Sequence, residues 1–236
     1  MKPDPRPLLV ALALAVSVPG LAQPSSASTT PQVPAQVSNA AWAEDMAGFA
    51  RADHQSPPPR GAIEFIGSSS IRMWTSLAAD FPGRPVFNRG FGGSEVRDST
   101  YYADRIVIPY APCKVFLYAG DNDLNSGRSP LQVRDDVLAF VERVHRDLPR
   151  TTVEYISIKP SPSRAHLLPA ITEANALVRD ALASRPNTGY IDVHTPMLGA
   201  DGQPDRRLFL EDMLHMTPAG YAVWTRALQS RVTCDR

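Results

Sequence analysis

Four short blocks hold, in chain order, the residue types that acyl transfer needs: Gly67-Ser68-Ser69-Ser70, Gly90-Phe91-Gly92-Gly93-Ser94, Gly120-Asp121-Asn122-Asp123 and Asp212-Met213-Leu214-His215. That chemistry calls for a hydroxyl nucleophile, an imidazole base, a carboxylate to orient the base, and hydrogen-bond donors where the oxyanion develops. Each block also has a plainer reading. Serines after a strand cap helices, Gly-rich segments make turns, and a lone histidine is more often structural than catalytic, as expected here for His54, His145, His166 and His194. His215 stands apart because Asp212 lies three residues before it, where a turn brings both side chains to one side.

Competing motifs fail on particular residues. The glycines of the second block lack the third glycine of a dinucleotide fingerprint and follow the second strand, not the first. Asp121, Asp123 and Asn125 match the first ligand positions of a calcium loop, but Ser126 stands where Gly is required and Gln132 where the bidentate Glu belongs. No Gly-x-Ser-x-Gly and no His-Glu-x-x-His occurs in the chain. Asp123 is expected to hold its loop through backbone hydrogen bonds.

The elements that must position these blocks follow from periodicity. Trp42, Met46, Phe49 and Ala50 fall at helical spacing and predict a first amphipathic helix over about 40–53. Short apolar runs predict strands at 62–67, 85–88, 114–119, 152–158 and 189–193. Ser129-Pro130-Leu131-Gln132 is a capping box with Pro at the first helical position, followed by Val137, Leu138, Val141, Val144 and Leu148 on one face. Ile171, Ala174, Val178, Ala181 and Leu182 mark another helix, and Thr217-Pro218 opens a last one that buries Tyr221, Trp224 and Leu228. Strands alternating with helices predict a three-layer α/β/α sandwich around a five-stranded parallel sheet of flavodoxin-like topology. Ligands in such sheets bind beyond the carboxyl ends of the strands, where the first three blocks all fall.

Lys and Arg total 24 and Asp and Glu total 24, and no basic cluster breaks this balance, so a nucleic-acid partner is not expected. Lys2 and Arg6, the apolar run Leu8–Val16 and Pro19-Gly20 read as an export signal over 1–22, too short to span a bilayer. Cleavage is expected near Gln23 or Ser28, leaving no stable membrane insertion and a periplasmic or extracellular protein. A Pro/Ser/Thr/Gln/Ala-rich stretch over 23–39 reads as a disordered linker before a domain spanning 40–236. An exported chain permits its two cysteines, Cys113 and Cys234, to pair. Cys113 precedes the third strand and the last helix descends about 20 Å from the opposite rim toward Cys234. Both therefore fall at one end of the sheet, which favours a bridge over two free thiols.

The stretch Phe65-Ile66-Gly67-Ser68-Ser69-Ser70-Ile71-Arg72-Met73-Trp74 resembles the first block of the SGNH, or GDSL-type, hydrolases, with Ser68 where that family usually has Asp. The other three blocks resemble its later ones in order, across about residues 60–232. The resemblance implies that Ser69 is the nucleophile, with His215 as its base and Asp212 orienting the imidazole. It also implies an oxyanion hole made by the N–H groups of Ser69 and Gly93 with the Asn122 amide, and neither cofactor nor metal. The function it implies is hydrolysis of a small-molecule or glycan carboxylic ester through an acyl-enzyme. With no long apolar lid segment in the sequence, short-chain or acetyl esters are expected. The competing expectation is an inactive secreted glycan-binding module on the same fold. The loop Lys159-Pro160-Ser161-Pro162-Ser163-Arg164 is expected to overhang the rim, offering its cations to an anionic or sugar-bearing substrate or leaving them in solvent.

Overall fold

The computed structural model describes Met1 and residues 37–234. The expected leader and nearly all of the expected linker lie outside the described residues. Five strands, β1 (Ile63–Gly67), β2 (Val86–Gly90), β3 (Lys114–Tyr118), β4 (Thr152–Ile156) and β5 (Thr188–Ile191), form one sheet in the order β2-β1-β3-β4-β5. Every pairing is parallel. The apolar runs are continuous because these strands are covered on both faces, and every residue of β1 and β3 is buried.

Alternate side chains feed two cores. Ile66, Val115, Leu117, Val153 and Tyr155 face one cluster, which α1 (Trp42–Gln55), α4 (Val96–Ile106), α6 (Pro130–Asp147) and α7 (Leu168–Ala183) complete. Ile63, Phe65, Phe116, Tyr118 and Ile156 face the other, beneath Trp74, Leu77 of α3 (Leu77–Asp80) and Tyr221, Val223 and Trp224 of α8 (Pro218–Leu228). The result is the expected three-layer sandwich. The strand order reverses between β1 and β3, the position where sheets of this kind form their ligand crevice.

The register sets the strand ends flush at that crevice, with Gly67 opposite both Gly90 and Tyr118. Gly67 has φ +133°, and a Cβ there would lie 1.8 Å from the Tyr118 carbonyl oxygen, so only glycine ends β1 in this way. The chain then turns directly into α2 (Ser69–Arg72). Asn88 fastens β2 to this turn, its Nδ2 donating to the Ile71 carbonyl at 2.6 Å and its Oδ1 accepting from Gly90 N–H at 2.8 Å.

Several bounds differ from the sequence expectation, β4 and β5 each ending two residues earlier, at Ile156 and Ile191. Strand β2 runs on through Arg89 and Gly90, because both pair in register with the end of β1. Helix α4 begins after Glu95, not after a Ser, Thr or Asn cap, and the Asp98 carboxylate accepts from the Glu95 N–H at 2.8 Å. At the opposite end of the sheet Cys113 and Cys234 form a disulfide with Cα atoms 5.6 Å apart. Among the described residues no helix is long and apolar enough to cross a membrane.

Candidate active site

Three consecutive serines leave β1, and burial separates them. Ser68 is 1% exposed and Ser70 2%, while Ser69 is half-buried. Ser69 Oγ lies 3.0 Å from His215 Nε2. His215 Nδ1 lies 2.5 Å from Asp212 Oδ2. The turn that carries the pair is held by Asp212 Oδ1, which accepts from the backbone N–H groups of Leu214 and His215 at 2.9 Å each. Met213 takes φ +57° so that the chain can bend back between them. Desolvation pulls the Asp212 carboxyl upward, but the His215 ring and these two N–H groups outweigh it and hold it at about 2. A carboxylate that stays ionised fixes the ring tautomer with Nε2 as the acceptor for the Ser69 proton.

Candidate donors come from the first three blocks. Ser69 occupies the first position of α2, where a backbone N–H has no partner within the helix. Gly93 is exposed with φ +88°, and a Cβ there would come within 3.3 Å of the Trp42 ring, which packs edge-on against Phe91 at 5.7 Å. Asn122 belongs to α5 (Asp121–Asn125) and is half-buried between the buried Asp121 and Asp123. Its Nδ2 donates to the Ser94 carbonyl at 3.0 Å, which ties the third block to the residue after Gly93. Blocks one and four thus meet through Ser69 and His215, and blocks two and three through Ser94 and Asn122, at the ends of adjoining strands.

Two readings of the sequence need correction. The cations of the 159–164 loop are neither left in solvent nor free for a substrate, since both are ion-paired within the protein. Lys159 is 1% exposed, with Nζ 3.0 Å from Asp121 Oδ2, and Arg164 lies 3.1 Å from the same oxygen. Both pair with one buried carboxylate, a partner that local sequence does not reveal. Asp123 likewise reaches beyond its own loop, its Oδ1 accepting from the N–H of Val96 at the start of α4 at 3.0 Å. Among the described residues no group of three or more His, Cys, Asp or Glu is arranged to hold a metal ion.

Asp123 is fully buried and its Oδ2 has no hydrogen-bond partner. Desolvation, with Glu95 adding to it and the Val96 hydrogen bond opposing it, pushes this carboxyl from an ordinary 3.8 up to about 8. Between those values the folded state binds the extra proton, so the stability that Asp123 contributes is lost as pH rises through that window. Asp123→Asn keeps an acceptor for Val96 and removes the ionisation. The Tm of the variant relative to the parent is expected to climb from about pH 4 to about pH 8 and level off above. A difference independent of pH would contradict a protonated Asp123.

Residues 66–223 match the model of the GDSL-like Lipase/Acylhydrolase family. The chain belongs to this family. It is therefore a hydrolase acting on ester bonds. Platelet-activating factor acetylhydrolase IB subunit alpha1 of Pongo abelii is 27% identical over 187 residues, covering 76% of this chain and 78% of that one. Among solved structures, a GDSL-like lipase from Bacteroides thetaiotaomicron superposes with a TM-score of 0.66 at 18% identity, covering 79% of this chain and 96% of that one. An acetylxylan esterase from Geobacillus stearothermophilus superposes at 0.60 with 14% identity, covering 75% and 96%. Both structures share the fold of this GDSL-family chain.

Proposed function

We propose that the protein is a serine esterase that cleaves acetyl or other short-chain carboxylic esters through an acyl-enzyme. The contact of Ser69 Oγ with His215 Nε2 at 3.0 Å, on a ring held by Asp212, carries this reading. His215 takes the Ser69 proton as Oγ attacks the acyl carbon. The tetrahedral oxyanion accepts hydrogen bonds from the N–H groups of Ser69 and Gly93 and from the Asn122 amide. Collapse expels the alcohol, protonated by His215, and leaves an ester on Ser69. Water, deprotonated by His215, then attacks that ester; the acid departs and Ser69 recovers its proton.

Two relatives reported above are named for removal of acetyl groups, which supports the short-chain reading. An exported location rests on the leader-like residues 1–22 and agrees with the Cys113–Cys234 disulfide. A series of nitrophenyl esters from acetyl to octanoyl, with acetylated xylo-oligosaccharides alongside, tests the substrate class. The expected result is the highest kcat/KM at acetyl and a fall with chain length. A maximum at octanoyl would overturn the short-chain reading, and saccharide binding without turnover of any ester would favour the inactive glycan-binding module. Mass spectrometry of the exported fraction should find a new N-terminus near Gln23 or Ser28; an intact leader there argues against export by cleavage.

A further inference from the structure

An asparagine amide serves an oxyanion only when its NH2 end points at the reacting centre, and its carbonyl end has nearly the same size. Something must decide which end faces inward. Here Asn122 is held by two groups of opposite polarity. Arg164 Nη2 donates to Asn122 Oδ1 at 2.9 Å, while Asn122 Nδ2 donates to the Ser94 carbonyl at 3.0 Å. A guanidinium has donors only and a carbonyl is an acceptor only, so exchange of the two amide ends would lose both hydrogen bonds and set like groups against each other.

Arg164 is itself fixed, since Nη1 lies 3.1 Å from Asp121 Oδ2. The same oxygen accepts from Lys159 Nζ at 3.0 Å, and Lys159 also reaches the Tyr118 hydroxyl at 3.3 Å. Burial raises the Asp121 carboxyl, but the two cations outweigh it and hold it below its ordinary value. Two cations around one carboxylate leave one net positive charge behind Asn122. That charge polarises the amide and strengthens its N–H groups toward an anion. The same segment touches the base, because Ser163 N–H donates to the carbonyl of Met213, between Asp212 and His215, at 3.0 Å.

We propose that Arg164 is a positioning residue for the oxyanion, locking the Asn122 amide with its NH2 group toward the acyl oxygen. This rests on the esterase reading above. The test compares Arg164→Leu, Arg164→Lys, Asn122→Ala and the double variant Arg164→Leu/Asn122→Ala on an activated acetyl ester. Arg164→Leu should lower kcat by about 10- to 100-fold with KM within about threefold, approaching the loss of one oxyanion donor. The lysine variant, whose single ammonium serves Asp121 without the fork, should fall between the leucine variant and the parent. The double variant should match Asn122→Ala within about threefold, since Arg164 acts only through that amide.

Unchanged kcat in Arg164→Leu, a loss confined to KM, or losses that multiply in the double variant would each overturn the proposal. If the leucine variant does not fold, by near-UV circular dichroism and Tm, the lysine variant and its own double with Asn122→Ala decide in the same way. The Asn122 side-chain NMR signals, assigned by their disappearance in Asn122→Ala, give a readout that needs no turnover. They should sit apart from those of exposed amides in the parent and move toward them in the Arg164 variants. If they do not move, the lock is absent. A parent that hydrolyses no ester and is not labelled at Ser69 by a fluorophosphonate would instead refute the esterase reading, leaving these signals to judge Arg164.

Discussion

Ser69→Ala is expected to lower kcat on an activated acetyl ester by about 10⁴- to 10⁶-fold, leaving only what the oxyanion donors and binding provide. The size follows from the geometry. Ser69 Oγ is the hydroxyl 3.0 Å from His215 Nε2, and its neighbours cannot take over, since Ser68 and Ser70 are only 1% and 2% exposed. Ser68→Ala removes a hydroxyl that has no hydrogen-bond partner, so its effect should stay within about tenfold. In the proposed mechanism Ser69 and His215 act as one unit, so His215→Ala added to Ser69→Ala should cost almost nothing further. Steady-state rates and fluorophosphonate labelling measure all of this. A Ser69→Ala enzyme with a tenth of the parent rate, or one still labelled by the probe, would move the nucleophile to another residue.

Much of this arrangement was legible because it depends on residues close in sequence. The strands announce themselves as apolar runs buried on both faces, and Gly67, Gly90 and Gly120 mark where three of them end at the rim. Asp212 and His215 are three positions apart and form their own turn. Helix α4 was harder to see, because its entry depends on acids, Glu95 and Asp98, where Ser or Thr is the usual signal. The 159–164 loop was misread for a deeper reason. A charge in a sequence says nothing of partners 38 or 42 residues away, and the Asp121 and Asn122 contacts of Lys159 and Arg164 arise only when β3 and β4 lie side by side. The same non-locality hides the packing of Trp42 on Phe91, since α1 precedes β1 and meets the second block only in the folded chain.

Replacing Cys113 and Cys234 with alanine is expected to lower stability by about 3 kcal/mol while leaving kcat nearly unchanged. The disulfide closes a loop over a sequence separation of 121, for which the chain-entropy account gives a little under 5 kcal/mol. Structure retained in the unfolded chain brings the measured loss below that figure, and a second clasp holds the same tail in the folded state. Arg231 Nη2 contacts both oxygens of the buried Glu154, at 2.6 and 2.9 Å, and Lys114 Nζ donates to the Arg231 carbonyl at 3.0 Å, so the tail stays largely docked without the bond. At about 2–4 °C per kcal/mol for a domain of this size, the Tm should fall by roughly 6–12 °C. Reduction of the parent by dithiothreitol should give the same shift. Activity should survive because the bond lies at the end of the sheet opposite the crevice: Cys113 precedes the first residue of β3, whereas Asn122 follows its last. A loss of kcat that tracks reduction at temperatures well below the new Tm would mean that the tail is coupled to the rim. The coupling route would then run along β3, which carries the Cys113 end into Tyr118 and the buried Lys159–Asp121 pair behind the Asn122 amide.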